Sequence, residues 1–178
     1  NDIKEDILTR ALGTIEKNLK KAVELGKFEE SQIKPTLNRI TPVSDFQQAV
    51  GDVDMVVEAV PESMELKQEI FSRLDKTCPA HTILASNTSA LSPTEIASAT
   101  GRPEKVVGMH FFNPPHIMKL VEVTRGLLTS DDTSDTVYEI AKKIGKEPVR
   151  INEMAGGVAS RLNVLLNNEA FYMLQEGV

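Results

Sequence analysis

The stretch Asp54-Met55-Val56-Val57-Glu58-Ala59-Val60 decides the fold of this 178-residue chain. It is short, rich in β-branched residues and almost continuously apolar. Runs of this kind are typical of a strand that is covered on both faces, as in a parallel sheet. A helical pattern follows over residues 62–76, and a second short apolar run comes after it at Thr82-Ile83-Leu84-Ala85-Ser86. The order strand, helix, strand predicts an α/β sheet.

The same alternation continues toward the C-terminus. Pro93 suits the first turn of a helix, and Gly145 suits the position just after a helix end. The predicted elements are a helix over 93–99, strands over 105–110 and 119–124, a helix over 132–144 and a strand over 147–151.

Helical patterns flank this region on both sides. The first is an amphipathic helix over residues 3–23, with Asp2 as its N-cap and Gly26 at its C-terminus. A short extended segment at 39–41 and a helical turn near 45–50 follow it. From Val158 onward a long apolar helical face resembles the opening of an all-α domain. We place the domain boundary at Asn152–Gly157, which gives an α/β domain over 1–151 and the start of a helical domain over 152–178.

The chain has no Gly-x-Gly-x-x-Gly motif. In dinucleotide-binding folds this motif joins the first strand to the first helix, because backbone N–H groups must approach the pyrophosphate closely. The only Gly-Gly pair, Gly156-Gly157, follows the predicted sheet. We therefore expect the later part of a Rossmann-like doubly wound sheet whose first βαβ unit is missing. The start at Asn1, without an initiator Met, indicates a fragment or a trimmed chain.

Composition argues against several kinds of partner. A formal net charge of -6 is unfavourable for binding nucleic acid, which needs clustered Lys and Arg. No apolar run approaches the roughly 18–20 residues of a membrane span. The single cysteine, Cys78, cannot form an intramolecular disulfide, which fits a reducing, cytoplasmic compartment. The histidines and Cys78 lack the spacing of a zinc site, so we expect no metal.

Histidine is the usual general base near neutral pH, and the chain has three. His81 begins a predicted strand and is interpreted as a solvated turn residue, and His116 as a surface loop residue. His110 ends a predicted parallel strand, where ligands bind in open α/β sheets. It is either a base or a buried histidine that is satisfied by a backbone carbonyl, and position alone does not distinguish the two.

Two further features lie on the expected rim of the sheet. Glu122 is a carboxylate flanked by apolar residues in the strand after His110, and it could orient the imidazole and stabilise its protonated form. The alternative is that Glu122 faces solvent on an edge strand. Ser86-Asn87-Thr88-Ser89 follows another strand and offers donors and acceptors for a nicotinamide, a ribose or a hydroxyacyl oxygen. A run of this kind is also common in turns and N-caps.

Taken in order, these segments resemble the L-3-hydroxyacyl-CoA dehydrogenase family, in its bacterial 3-hydroxybutyryl-CoA dehydrogenase type. The resemblance covers essentially the whole chain, and the blocks around His110 and Glu122 are highly specific in combination. The segments that carry it are Asp54 to Glu62, Lys67, Ser86-Asn87-Thr88-Ser89, Gly108-Met109-His110-Phe111-Phe112-Asn113-Pro114 and Met118-Lys119-Leu120-Val121-Glu122-Val123.

The resemblance implies a function: oxidation of a (S)-3-hydroxyacyl-CoA, with hydride transfer to NAD. It implies that His110 is the base, that Glu122 is its carboxylate partner, and that the full-length protein is a homodimer. It also implies binding roles for other residues. These are Ser89 for both substrate and cofactor, Glu62, Lys67, Asn87 and Asn113 for the cofactor, and Asn18, Lys20 and Lys27 of the first helical region for CoA.

One departure concerns the substrate site. The family reads Pro-Gly-Phe-x-x-Asn-Arg where this chain has Ala155 to Arg161, so the substrate-binding asparagine falls on Ser160. A serine keeps one hydrogen bond but loses the second amide group. Two other functions therefore stay open: a non-catalytic structural or binding relative, and a related hydroxyacid dehydrogenase, such as one acting on a sugar acid.

Overall fold

The computed structural model describes residues 1–178. The chain divides into two compact units, Asn1–Asp52 and Val53–Val178. This division lies at a different point of the chain from the domain boundary predicted at residues 152–157. The predicted boundary separates the sheet from the last helix, and it stays a prediction.

The first unit is helical. It consists of α1 (Glu5–Glu24), a 3₁₀ turn (Glu30–Gln32), α2 (Ile33–Leu37) and α3 (Phe46–Val50). The predicted N-cap Asp2 is wrong, because the helix begins after Lys4, whose side chain makes no capping hydrogen bond. Gly26, with a φ of 66°, follows the helix end as predicted. The short α2 was not predicted, and residues 39–41 form no strand.

The second unit contains a five-stranded sheet whose strands lie in chain order. The first three strands are parallel, the fourth is antiparallel to the third, and the fifth is parallel to the fourth. This confirms the predicted α/β sheet and all five of its strands. They are β1 (Met55–Glu58), β2 (Ile83–Ser86), β3 (Val106–Phe111), β4 (Leu120–Arg125) and β5 (Glu147–Asn152).

Four helices accompany the sheet, and three begin at a serine that caps the first turn. The side chains of Ser63, Ser92 and Ser130 each accept a hydrogen bond from the backbone N–H three residues later. This is the usual way to satisfy one of the free donors at a helix start. The helices are α4 (Met64–Thr77), α5 (Pro93–Ala97), α6 (Asp131–Lys143) and α7 (Ala159–Glu176).

The core lies on both faces of the sheet. On one face α6 packs with Val137 and Ala141 against apolar side chains of the three central strands, among them Val107, Met109 and Val121. Because side chains alternate along a strand, the even-numbered residues of β3 and β4 project from the opposite face. His110 and Glu122 belong to that second face. None of the helices combines the length and the hydropathy that a membrane span requires.

Candidate active site

His110 and Glu122 are paired across β3 and β4. The antiparallel register places their Cα atoms opposite each other, and His110 Nδ1 lies 3.0 Å from Glu122 Oε2. The two residues are 7% and 2% exposed. The structure therefore brings the two predicted residues together, and the alternative of a solvent-facing Glu122 is wrong.

The pairing determines what the imidazole can do. A carboxylate oxygen only accepts hydrogen bonds, so it favours the tautomer in which Nδ1 carries the proton. Nε2 then keeps its lone pair, and it makes no hydrogen bond in the structure. The ring of Phe112 lies 4.5 Å from the imidazole, centroid to centroid. His110 is thus an oriented imidazole with a free acceptor nitrogen rather than one satisfied by a backbone carbonyl.

The second oxygen of Glu122 is bound from the far end of the sequence. Glu122 Oε1 accepts hydrogen bonds from the backbone N–H groups of Val158, at 3.2 Å, and Ala159, at 3.0 Å. These residues begin α7. Both oxygens of the buried carboxylate are therefore engaged, one by the imidazole and one by the chain that enters the last helix.

The predicted polar segment after β2 lies beside the end of β3. Asn87 Oδ1 accepts the N–H of Phe111 at 2.8 Å, which fastens the segment next to His110. The amide NH₂ of Asn87 makes no hydrogen bond, and the side chain of the exposed Ser89 makes none either. Ser89 and Glu122 line the same small cleft. The segment therefore offers unengaged polar groups within reach of the pair.

Glu62 holds this segment from the other side. Its Oε1 accepts hydrogen bonds from Thr88 Oγ1 at 2.6 Å and from the N–H groups of Ser89 and Ala90 at 2.8 and 3.1 Å. Partial burial would raise the pKa of Glu62, but these hydrogen bonds and the charge of Lys67 outweigh burial and lower it below its usual value. Glu62 is therefore a charged anchor for the loop that carries Ser89.

Lys67 is turned inward. Its side chain is 1% exposed, and Nζ lies 2.7 Å from Glu58 Oε1 and 3.5 Å from Glu62 Oε2. Nζ also donates to the backbone carbonyl of Val60 at 3.3 Å, so all its contacts are with groups of the protein. Its predicted role near a cofactor stays a prediction.

The remaining predicted residues are not brought together at this pair. Asn113 is exposed in the loop after β3, and Ser160 is the second residue of α7. Asn18 and Lys20 lie on α1, where Lys20 pairs with Glu16, and Lys27 follows that helix; all three belong to the first unit. His81 and His116 are exposed, as expected.

Two contacts at or next to the site were not predicted from the sequence. Glu58 is 4% exposed and accepts hydrogen bonds from Lys67 and Ser86, although the sequence shows only a carboxylate within an apolar strand. The available signal was a single carboxylate within an apolar strand, and the prediction for Glu122 rests on the same signal. The contact of Val158 and Ala159 with Glu122 had no sequence signal, because it is made by backbone groups.

Comparison with known proteins assigns the chain to a family. Residues 1–154 match the family described as 3-hydroxyacyl-CoA dehydrogenase, NAD binding domain. The chain belongs to this family.

Similar proteins extend beyond the length of this chain. The chain is 45% identical to a probable 3-hydroxybutyryl-CoA dehydrogenase of Bacillus subtilis over 99% of its own length and 61% of that protein. It is 44% identical to a 3-hydroxybutyryl-CoA dehydrogenase of Clostridioides difficile, over 96% and 60%. The crystal structure of (S)-3-hydroxybutyryl-CoA dehydrogenase from Ralstonia eutropha superimposes with a TM-score of 0.94 at 35% identity, over 99% and 62%. The chain thus spans about 60% of the length of these relatives.

The residues of this 3-hydroxyacyl-CoA dehydrogenase domain fit the nicotinamide end of NAD. A carboxamide and a ribose need both donors and acceptors, and the unengaged side chains of Asn87, Ser89 and Asn113 supply both kinds. These side chains follow strands β2 and β3 at their carboxyl ends, where ligands bind in open α/β sheets. The donor set is therefore suitable for the cofactor that the family description names.

Proposed function

We propose that the protein carrying this chain oxidises a (S)-3-hydroxyacyl-CoA, and in particular 3-hydroxybutyryl-CoA, to the 3-oxoacyl-CoA with NAD. The observation that carries the proposal is the His110–Glu122 pair, with 3.0 Å between Nδ1 and Oε2 and a free Nε2. Family membership and the names of the similar dehydrogenases support it.

In this proposal His110 is the general base. Nε2 accepts the proton of the C3 hydroxyl, and the imidazole becomes an imidazolium. Glu122 stabilises that positive charge through Nδ1 and prevents the ring from presenting an N–H to the substrate. The hydride that leaves C3 would pass to NAD, which is the chemistry that the cofactor would supply when bound. The protein contributes orientation and proton transfer, and positioned proton transfer typically contributes about 10²–10⁴-fold to the rate.

The binding roles are proposals of the same kind. We assign Ser89 to substrate and cofactor, Ser160 to substrate, and Asn87 and Asn113 to the cofactor, because their polar groups are unengaged. Glu62 and Lys67 act on the cofactor side by fixing the loop that carries Ser89. Asn18, Lys20 and Lys27 are assigned to the CoA nucleotide on the resemblance alone.

Organisation and location are also proposed. We assign residues 1–151 to the NAD-binding domain and 152–178 to the start of a helical domain, which agrees with a family match that ends at residue 154. The apolar side chains of α7 are largely exposed, with Leu165, Leu166 and Phe171 between 62% and 72%. Such a surface suits burial against further helices, and we propose a cytoplasmic homodimer.

The test is NADH formation by the complete purified protein from (S)-3-hydroxybutyryl-CoA, followed by absorbance. Turnover that depends on both substrates is expected. Thermal shift with NADH and with acetoacetyl-CoA distinguishes the alternatives. Stabilisation by both ligands without turnover would point to a non-catalytic relative. Turnover of a hydroxyacid without CoA, and none of the acyl-CoA, would point to another hydroxyacid dehydrogenase.

A further inference from the structure

The backbone that enters α7 surrounds the carboxylate of Glu122. The N–H groups of Val158 and Ala159 donate to Oε1 at 3.2 and 3.0 Å. Gly157 lies against the other oxygen: a Cβ placed on it would be 3.0 Å from Oε2, the atom that faces His110. The φ of Gly157 is 54°, a region that residues with side chains rarely adopt. The segment 157–159 therefore contacts both oxygens of a carboxylate that is 2% exposed.

These contacts differ in kind for the two oxygens. Two donors converge on Oε1, so that side of the group must be an acceptor. Only the imidazole binds Oε2. The atom that faces His110 is therefore the terminal atom that does not face the two N–H groups. The two hydrogen bonds are partly buried, and an N–H that is shielded from water and lacks an acceptor costs free energy comparable to a lost hydrogen bond. Rotation of the Glu122 side chain about its terminal bond would exchange two chemically equal oxygens. In the wild type, therefore, the two orientations of the carboxylate cannot be distinguished.

We propose that Val158 and Ala159 are positioning residues, whose backbone N–H groups fix the orientation of the side chain at position 122, so that its other terminal atom faces His110 Nδ1 and sets the tautomer. Gly157 is the third element, because the absence of a side chain leaves Oε2 free to reach the imidazole. The inference that this orientation serves catalysis rests on the proposed function. The effect on the tautomer does not.

The variant Glu122→Gln reveals the constraint because its two terminal atoms differ. The N–H groups of Val158 and Ala159 require the amide oxygen on their side, which turns the NH₂ group toward His110. Nδ1 must then accept a hydrogen bond, and the proton moves to Nε2. If the segment 157–159 exerted no control, the amide could present its oxygen to His110 and keep the proton on Nδ1.

The experiment is ¹⁵N NMR of histidine-labelled complete protein at a pH where the imidazole is neutral. In the wild type we expect His110 to be protonated at Nδ1, and in Glu122→Gln at Nε2. Retention of the Nδ1 proton in Glu122→Gln would overturn the proposal. The measurement needs neither cofactor nor substrate, so it stands even if the proposed dehydrogenase activity is absent.

A second pair of variants tests Gly157 against a matched control. Gly156→Ala and Gly157→Ala both place a side chain at positive φ, 77° and 54° respectively. The new Cβ at 156 meets Arg161 Cβ at an ordinary 3.7 Å, whereas the one at 157 meets Glu122 Oε2. We expect Gly157→Ala to shift part of His110 to the Nε2–H tautomer and to lower kcat about 10- to 100-fold with KM little changed.

Gly156→Ala should keep the wild-type tautomer. Equal tautomer shifts in the two variants would mean that backbone strain causes the effect. That result would contradict the proposal that Gly157 leaves room for Glu122 Oε2 to reach the imidazole. If the wild type shows no turnover at all, the proposed function fails, while the tautomer comparison still decides the positioning role.

Discussion

Lys67 Nζ lies 2.7 Å from Glu58 Oε1, and both side chains are 1% exposed. The carboxylate of Glu58 also accepts hydrogen bonds from the N–H of Val60 and from Ser86 Oγ. This buried ion pair joins β1, α4 and β2 beneath the loops that carry Glu62 and Ser89. Burial of two charges is favourable only when both are paired and their remaining hydrogen bonds are made.

Removal of the Lys67 charge should therefore destabilise the domain. We expect Lys67→Met to lower the free energy of unfolding by about 3–5 kcal/mol, because Glu58 is left as a buried charge without its cation. Denaturant titration followed by circular dichroism measures the change. Lys76→Met, an exposed lysine on the same helix, should alter stability by no more than about 0.5 kcal/mol.

A double variant checks the cause. Glu58→Gln removes the negative charge and keeps one acceptor oxygen for the N–H of Val60, while its NH₂ group can donate to the hydroxyl of Ser86. Combined with Lys67→Met it should recover part of the lost stability. A double variant that is less stable than the sum of the two single changes would mean that the unpaired charge is not the source of the loss.

The lowered pKa of Glu62 predicts a pH dependence of stability. A carboxyl whose folded pKa lies below its unfolded value, here 4.5, contributes stability that is present above that value and is lost as pH falls through the folded pKa. Glu62→Gln should thus be less stable than the wild type at pH 7. The difference should narrow below pH 4.5. Thermal unfolding of both proteins between neutral and acidic pH measures it.

Glu69→Gln is the control for this series, because Glu69 is an exposed carboxylate of α4 that makes no hydrogen bond or ion pair. It should differ little from the wild type at pH 7. If the stability difference between Glu62→Gln and the wild type stayed constant down to acidic pH, the prediction would be wrong. The hydrogen bonds of Glu62 would then stabilise the fold equally whether the carboxyl is charged or neutral.

The strands were predictable because each is a local apolar run. The apolar stretch 54–60 contains β1, and all four later strands lie within one or two residues of their predicted bounds. The prediction that this first strand is covered on both faces is wrong, because Val57 is 44% exposed and only Glu58 is buried in β1. The helix start at Asp2 and the short α2 were not predicted correctly. Residues 1–52 form a small helical unit in which no residue of α1 or α2 is buried. The five residues of α2 are too few for a periodic apolar pattern to be recognised.

The site was predictable only in part. His110 and Glu122 could be paired because they lie on adjacent strands that follow each other in sequence, and their register is set by one short connection. The contact of Glu122 with Ala159 joins residues 37 positions apart through a backbone N–H. It depends on the path of the chain after β5, which side-chain patterns do not encode. The buried Glu58–Lys67 pair likewise needs the packing of α4 on β1.

Close packing between β3 and β4 gives a prediction about glycine. A Cβ at Gly108 would lie 2.8 Å from Thr124 Cβ, inside the distance of any normal contact. Gly108→Ala should therefore force the strands apart and lower the free energy of unfolding by about 1–3 kcal/mol. Chemical denaturation gives this value directly.

Gly13→Ala is the matched change in open space. Gly13 lies within α1, and nothing is within 4 Å of its added Cβ. Alanine should stabilise this helix by about 0.5–1 kcal/mol. If both variants were equally destabilised, the close approach at Gly108 could not be the cause.

The central claim is that His110 removes the substrate proton. The direct test is steady-state NADH formation by the complete protein from (S)-3-hydroxybutyryl-CoA, with wild type, His110→Ala and the control His81→Ala, whose histidine is exposed. We predict that His110→Ala lowers kcat by about 10²–10⁴-fold while NADH binding, measured by thermal shift, is retained. His81→Ala should keep wild-type turnover. Wild-type kcat in His110→Ala would contradict the assignment.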